Sequence, residues 1–180
     1  MPRKTCQVLL LCFVCLTGCV QVDGPPLDVV EYVDLTRYIG KWYEIASYPA
    51  PFQAGCVATF AEYSLREDGK IRVVNCCLDR SLDGPERRVE GVARVVDEQT
   101  NAKLKVSFFW PFEGDYWIID LDEDYQWVVV GEPSRRYLWI LSRTPDLDDA
   151  IYQDILSRLP DKNYDPAGLV KTQQPGDESN

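Results

Sequence analysis

Cysteines and carboxylates are the side chains that could do chemistry here, because the 180-residue chain has seven cysteines and no histidine. Without imidazole there is no Ser-His-Asp or Cys-His nucleophile, no His-ligated haem and no zinc site built on histidine. Glu44 and Asp120 stand in strand-like segments, and alternation can turn both toward one interior as an acid/base pair. The competing reading is structural, since a buried carboxylate is more often hydrogen-bonded or orients a ligand. Asp120-Leu121-Asp122-Glu123-Asp124 imitates the start of a calcium loop. Its sixth position is Tyr125 where glycine is needed, and its twelfth is Gly131 where glutamate is needed. It reads as a solvated turn. No metal, no cofactor and no catalysis are expected. A net charge of −10 argues against a nucleic-acid partner, which requires a basic face.

Four of the cysteines (Cys6, Cys12, Cys15 and Cys19) fall in the first nineteen residues. Arg3 and Lys4 precede an apolar run from Val8 to Leu16, and Thr17-Gly18-Cys19 follows. That order describes a secretory signal. The run is far short of the ~20 apolar residues a spanning helix needs. Leu16-Thr17-Gly18-Cys19 resembles a bacterial lipobox, which implies that Cys19 becomes the lipidated first residue of the mature chain. Each buried methylene adds about 0.8 kcal/mol, so two or more acyl chains hold durably. The same resemblance, with Val20 rather than aspartate at the next position, implies the outer membrane, periplasmic face. Losing residues 1–18 removes Arg3 and Lys4 and no acid, so charge does not hold this chain to an anionic surface. The divisions are then 1–18 signal, 19–32 lipidated cysteine and tether, 33–175 folded domain and 176–180 polar tail, with polarity beginning at Gln173.

The elements that must position any site are short strands. With 46% hydrophobic and 27% charged residues the domain is globular, and turn signals recur about every ten residues. Strands are predicted at Lys41–Tyr48, Val57–Leu65, Ile71–Leu78, Arg88–Val96, Ala102–Phe108, Tyr116–Leu121, Gln126–Val130 and Tyr137–Ser142. Asp68-Gly69 marks a hairpin turn. The fold class is therefore all-β, eight antiparallel strands able to close up-and-down. One helix follows, with Thr144 as cap, Pro145 first and an apolar stripe of Leu147, Ile151, Ile155 and Leu159 packed outside the barrel.

Three blocks carry a family resemblance: Gly40-Lys41-Trp42-Tyr43-Glu44-Ile45, Gly114-Asp115-Tyr116-Trp117-Ile118-Ile119-Asp120-Leu121-Asp122 and Tyr137-Leu138-Trp139-Ile140-Leu141-Ser142-Arg143-Thr144-Pro145. In that order, before a C-terminal helix, they resemble the lipocalins, and with the lipobox the bacterial outer-membrane lipoprotein branch. The resemblance implies an eight-stranded lipocalin barrel, a fatty acid or lysophospholipid as ligand and a possible homodimer. It also implies that Trp42 and Arg143 plug the closed end. A guanidinium over an indole suits that role, and Gly40 lets the preceding turn cross closely.

Function should sit at the open end, on the connections Pro49–Gly55, Asp79–Arg87, Phe109–Gly114 and Gly131–Arg136. Phe52, Phe108, Trp110 and Phe112 are portal candidates, because loop-tip aromatics are costly in water unless they meet something. Phe108 and Phe109 could equally turn inward as core. Inside, Trp42, Glu44 and Ala46 share a face, as do Tyr116, Ile118 and Asp120, and Tyr137, Trp139 and Leu141. Glu44, Tyr116, Ile118 and Trp139 are the candidate cavity contacts. A bilin or isoprenoid ligand is the alternative to an acyl lipid, and a lipid-modifying enzyme a more distant one. Of Cys56, Cys76 and Cys77, a two-residue turn at Asp68-Gly69 puts Ser81 opposite Cys56 and Cys77 on the face of Cys56. A Cys56–Cys77 disulfide is favoured over Cys56–Cys76, with a bulge closing the gap.

Overall fold

Alternating apolar side chains in eight consecutive segments cannot bury one face unless the sheet curls onto itself, and it does. The computed structural model describes residues 25–176. The strands are β1 (Gly40–Ser47), β2 (Cys56–Leu65), β3 (Ile71–Asp79), β4 (Glu86–Val95), β5 (Lys103–Phe109), β6 (Phe112–Leu121), β7 (Trp127–Gly131) and β8 (Leu138–Ser142). Each pairs antiparallel with its sequence neighbour, and β8 and β2 both pair with β1, which closes the barrel. A single turn, α1 (Leu35–Tyr38), precedes β1, and its cap Asp34 accepts the Thr36 amide at 2.8 Å. The helix α2 (Asp149–Arg158) and a two-residue strand β9 (Val170–Lys171) follow β8.

Two cores result. The inner one fills the barrel with Tyr38, Trp42, Tyr63, Val73, Leu104, Ile118, Val128 and Leu141 among others. The outer one lies between the barrel wall (Ile119, Val129, Leu138, Ile140) and α2 (Tyr152, Ile155), with Leu159 just beyond it.

Several local expectations are corrected. The helix starts later than Thr144-Pro145: the Asp148 carboxylate accepts the amides of Ala150 and Ile151 at 2.9 and 3.2 Å and caps it. The Thr144 hydroxyl instead donates to the Asp146 carbonyl at 2.6 Å. The stripe is rotated accordingly, so Tyr152 is buried and Ile151 is exposed. The β2–β3 turn is a three-residue loop rather than a two-residue one. Gly69 alone takes a positive φ (+77°), and Arg66 closes the loop by donating to the Lys70 carbonyl at 2.8 Å.

Tether and tail are also partly folded domain. Leu27 is buried in the outer core, and Arg135 donates to the Pro25 carbonyl at 2.8 Å. At the other end, β1 diverges from β2 beyond Tyr43, and the C-terminal segment fills the seam. The Ala58 amide donates to the Gln173 carbonyl at 2.7 Å, and Thr172 donates to the Ile45 carbonyl at 2.9 Å. Gln174 is buried, its amide bridging the carbonyls of Glu44 and Thr59 at 2.8 and 3.0 Å. Splayed strand edges leave unpaired backbone groups, which is why a polar segment is drawn in.

Candidate functional site

The two ends of the barrel are built differently. At the closed end Arg143 lies over the Trp42 ring, 3.7 Å from its centroid. Its guanidinium donates to the carbonyls of Arg37, Tyr38, Ile39, Lys41 and Tyr125 at 2.6–3.2 Å. Five N–H groups meet five carbonyls, which uses the whole donor set. The Trp42 indole donates to the Tyr38 carbonyl at 2.8 Å. Gly40 has φ +101°, and a Cβ there would come within 3.3 Å of the Arg143 guanidinium. This end is a plug.

The open end gathers the connections after β1, β3, β5 and β7. The expected loop Phe109–Gly114 is mostly strand, because Phe109 pairs with Phe112 and extends the β5–β6 hairpin past the rim. Trp110 is 90% exposed, Phe112 76%, Phe109 72% and Phe52 60%. Phe109 therefore joins the rim, whereas Phe108 is half-buried against the inner core. A second aromatic file leads inward on the opposite side. Phe52 meets Tyr137 at 5.5 Å, and Tyr137 stacks on Trp139 at 5.9 Å between centroids.

Below the rim, Val106, Phe108, Tyr116 and Trp139 belong to the inner core yet are only partly buried. Further down Ile118 is fully buried. The Tyr116 hydroxyl bonds the hydroxyls of Tyr38 and Tyr63 at 2.7 and 3.0 Å. Burial pushes all three phenols above their ordinary 10.0, Tyr63 to about 12. They serve as neutral hydrogen-bonding groups on an otherwise apolar floor.

Glu44 lies at the mouth end of β1, buried at 5% exposure. Its carboxylate accepts from Ser47 at 3.0 Å, Gln53 at 2.8 Å and Thr172 at 2.5 Å. Gln53 in turn accepts the Trp139 indole N–H at 3.0 Å, which ties the carboxylate to the aromatic file. All four polar residues of this cage line a cleft of about 540 Å³ bounded also by Pro49, Pro51, Val57 and Val170.

Asp120 does not join Glu44. A bulge between Ile118 and Asp120 turns Asp120 outward, where Arg158 of α2 donates to it at 2.9 Å. The acid/base pairing is therefore overturned. A matching bulge between Glu44 and Ala46 sends Ala46 into the outer core, away from the face of Trp42 and Glu44. The acidic run after Asp120 is a turn closed by the Asp122 amide on the Trp127 carbonyl at 3.1 Å. Among the described residues no cluster suits a metal.

A disulfide joins Cys56 to Cys77, with 5.4 Å between their Cα atoms. Asp79 and not Ser81 faces Cys56, and the bulge at Ala58 and Thr59 closes the gap. Cys76 is a buried free thiol, which burial pushes above its ordinary pKa. Cys19 lies outside the described residues.

Sequence reasoning missed Gln53, Ser47 and Thr172, the partners of Glu44. Thr172 lies 128 positions away on a segment with no strand pattern, so no local signal pointed to it. It also missed Tyr38 and Tyr63 as polar floor. Phenols among apolar residues read as core.

A family model described as a lipocalin-like domain matches residues 33–174. The chain is a lipocalin. Like the family, it is a ligand-binding protein and not an enzyme. It is 42% identical over 154 residues to "Outer membrane lipoprotein Blc" of Escherichia coli, covering 84% of this chain and 86% of that one. It is 40% identical over 157 residues to "Temperature-induced lipocalin-1" of Arabidopsis thaliana, covering 82% and 83% of the two chains. Among solved structures, insecticyanin from the tobacco hornworm Manduca sexta shares the lipocalin barrel, with a TM-score of 0.70 at 18% identity and coverage of 84% and 86%.

Proposed function

We propose that this lipocalin is an outer-membrane lipoprotein, acylated at Cys19, that carries fatty acids or lysophospholipids in the cell envelope. The observation that carries the ligand class is the contrast between the ends: one plugged by Arg143 and Trp42, the other open and ringed by Phe52, Phe109, Trp110 and Phe112. An apolar interior with few polar groups suits a single acyl chain, whose head would stay at the mouth. Exposed aromatics at one end let the barrel meet a bilayer mouth first and take up a chain without passing it through water. The lipobox-like Leu16-Thr17-Gly18-Cys19 and the name of the Escherichia coli relative support the compartment.

Native mass spectrometry of protein extracted from its own envelope tests the reading. Acyl-lipid adducts, displaced by a fluorescent fatty acid, are the expected result. A bare protein that fails to bind the fluorescent fatty acid would exclude it, and a coloured adduct would point to a pigment.

A further inference from the structure

Glu44 is a buried carboxylate, 5% exposed. Among the described residues, no lysine or arginine forms an ion pair with it. Its three donors, Ser47, Gln53 and Thr172, are all neutral, and they account for three of the roughly four lone-pair sites a carboxylate offers. They fix its position but leave its charge. Of the described residues lining the cleft, Lys171 is the only cation, and its ammonium turns to Asp149 at 3.5 Å and the Tyr152 ring at 4.8 Å on the outer side. Across the seam, the buried Thr59 hydroxyl has no hydrogen-bond partner among the described residues. It can accept a hydrogen bond. The wall of the mouth along β1 and β2 therefore holds an acceptor and one negative charge.

Such a wall discriminates between heads. A second carboxylate or a bare phosphate brought beside Glu44 meets a like charge in a partly dehydrated cleft, whereas an ammonium supplies the missing counter-charge and up to three donors. We propose that Glu44 is the specificity-determining residue of the mouth, selecting amphiphiles with an ammonium head whose apolar body lies in the barrel. This rests on the carrier reading above. The ammonium could belong to a phospholipid headgroup or to a simple amphiphilic amine; the chemistry at Glu44 is the same.

Isothermal titration of the full folded domain with four ligands of one chain length separates the cases: dodecylammonium, lauroyl lysophosphatidylethanolamine, laurate and lauroyl lysophosphatidic acid. Wild-type protein is expected to bind the two ammonium ligands about tenfold to a hundredfold more tightly than the two anions. Glu44→Gln, with fold checked by near-ultraviolet circular dichroism, should erase that preference while leaving laurate as tight or tighter. Equal ammonium ligands identify any amphiphilic amine as the source, and a tighter lysophospholipid identifies a lipid headgroup. Wild-type binding without ammonium preference overturns the role of Glu44 alone, and does so even if the variant fails to fold. Retained preference in a folded Glu44→Gln protein overturns it too. Failure to bind any of the four overturns the carrier reading as well.

Discussion

Replacing Arg143 with alanine should destabilise this lipocalin severely without touching its ligand site. The side chain contributes a cation–π contact with Trp42 at 3.7 Å, worth about 0.5–2 kcal/mol. It also satisfies five backbone carbonyls, those of Arg37 and Tyr38 in α1, Ile39 after it, Lys41 in β1 and Tyr125 in the β6–β7 turn. Bonds from a charged donor are worth about 1.5–3 kcal/mol each in isolation, but they are not additive, and water replaces some of them at this partly exposed site. A loss of about 3–5 kcal/mol is the resulting figure, near the upper end for a point substitution. For a domain of this size that lowers Tm by about 10 °C. Urea unfolding followed by tryptophan fluorescence reads the loss directly. Arg143→Lys keeps the cation but not the planar fork, so it should recover only part of the stability. Below the transition, Arg143→Ala protein should bind a fluorescent fatty acid as wild type does. A loss under 1 kcal/mol, or weakened binding at full stability, would refute the assignment of this residue to the plug.

Other expectations follow from the same geometry. Reducing the Cys56–Cys77 disulfide opens a loop of sequence separation 21 and should cost about 3 kcal/mol, read as a lower urea midpoint in reductant. The three interior tyrosines have folded pKa values raised by burial above their ordinary 10.0. Below pH 10 both states keep these protons; above it only the unfolded chain releases them. Stability should fall by about 1.4 kcal/mol per pH unit for each such tyrosine until its folded pKa is reached. Phenolate absorbance appearing at pH 10 for every tyrosine of the folded protein would contradict this. Trp110→Ser with Phe112→Ser should abolish binding of the unlipidated domain to phosphatidylcholine vesicles in a flotation assay, with affinity for a soluble fatty acid unchanged. Gln174→Ala removes the bridge between β1 and β2, and should cost about 1–3 kcal/mol and speed ligand release in stopped-flow displacement.

Strand number, order and closure were legible in the sequence because alternation and turn residues report local geometry. Faces were legible only up to the next bulge. The irregularities after Ile118 and Glu44 each reverse the alternation, which is how Asp120 reaches Arg158 and Ala46 the outer core. The cysteines show two such errors cancelling. A two-residue turn at Asp68-Gly69 sets the register one residue off, and the bulge at Ala58 shifts it once more, so Cys77 still falls on the face of Cys56. Motif residues were readable because Trp42 and Arg143 meet through the barrel closure itself. The Glu44 cage was not readable, since Thr172 arrives from a polar segment with no periodicity.

The central claim, that the barrel interior receives an acyl chain through the aromatic mouth, is tested most directly with a fatty acid brominated at its terminal carbon. Anomalous diffraction from a crystal of the complex locates the bromine. The account predicts a single site inside the barrel, below Trp139 and above the Tyr38–Tyr116–Tyr63 floor. Bromine found only outside the barrel wall, with the interior closed to it, would contradict the account.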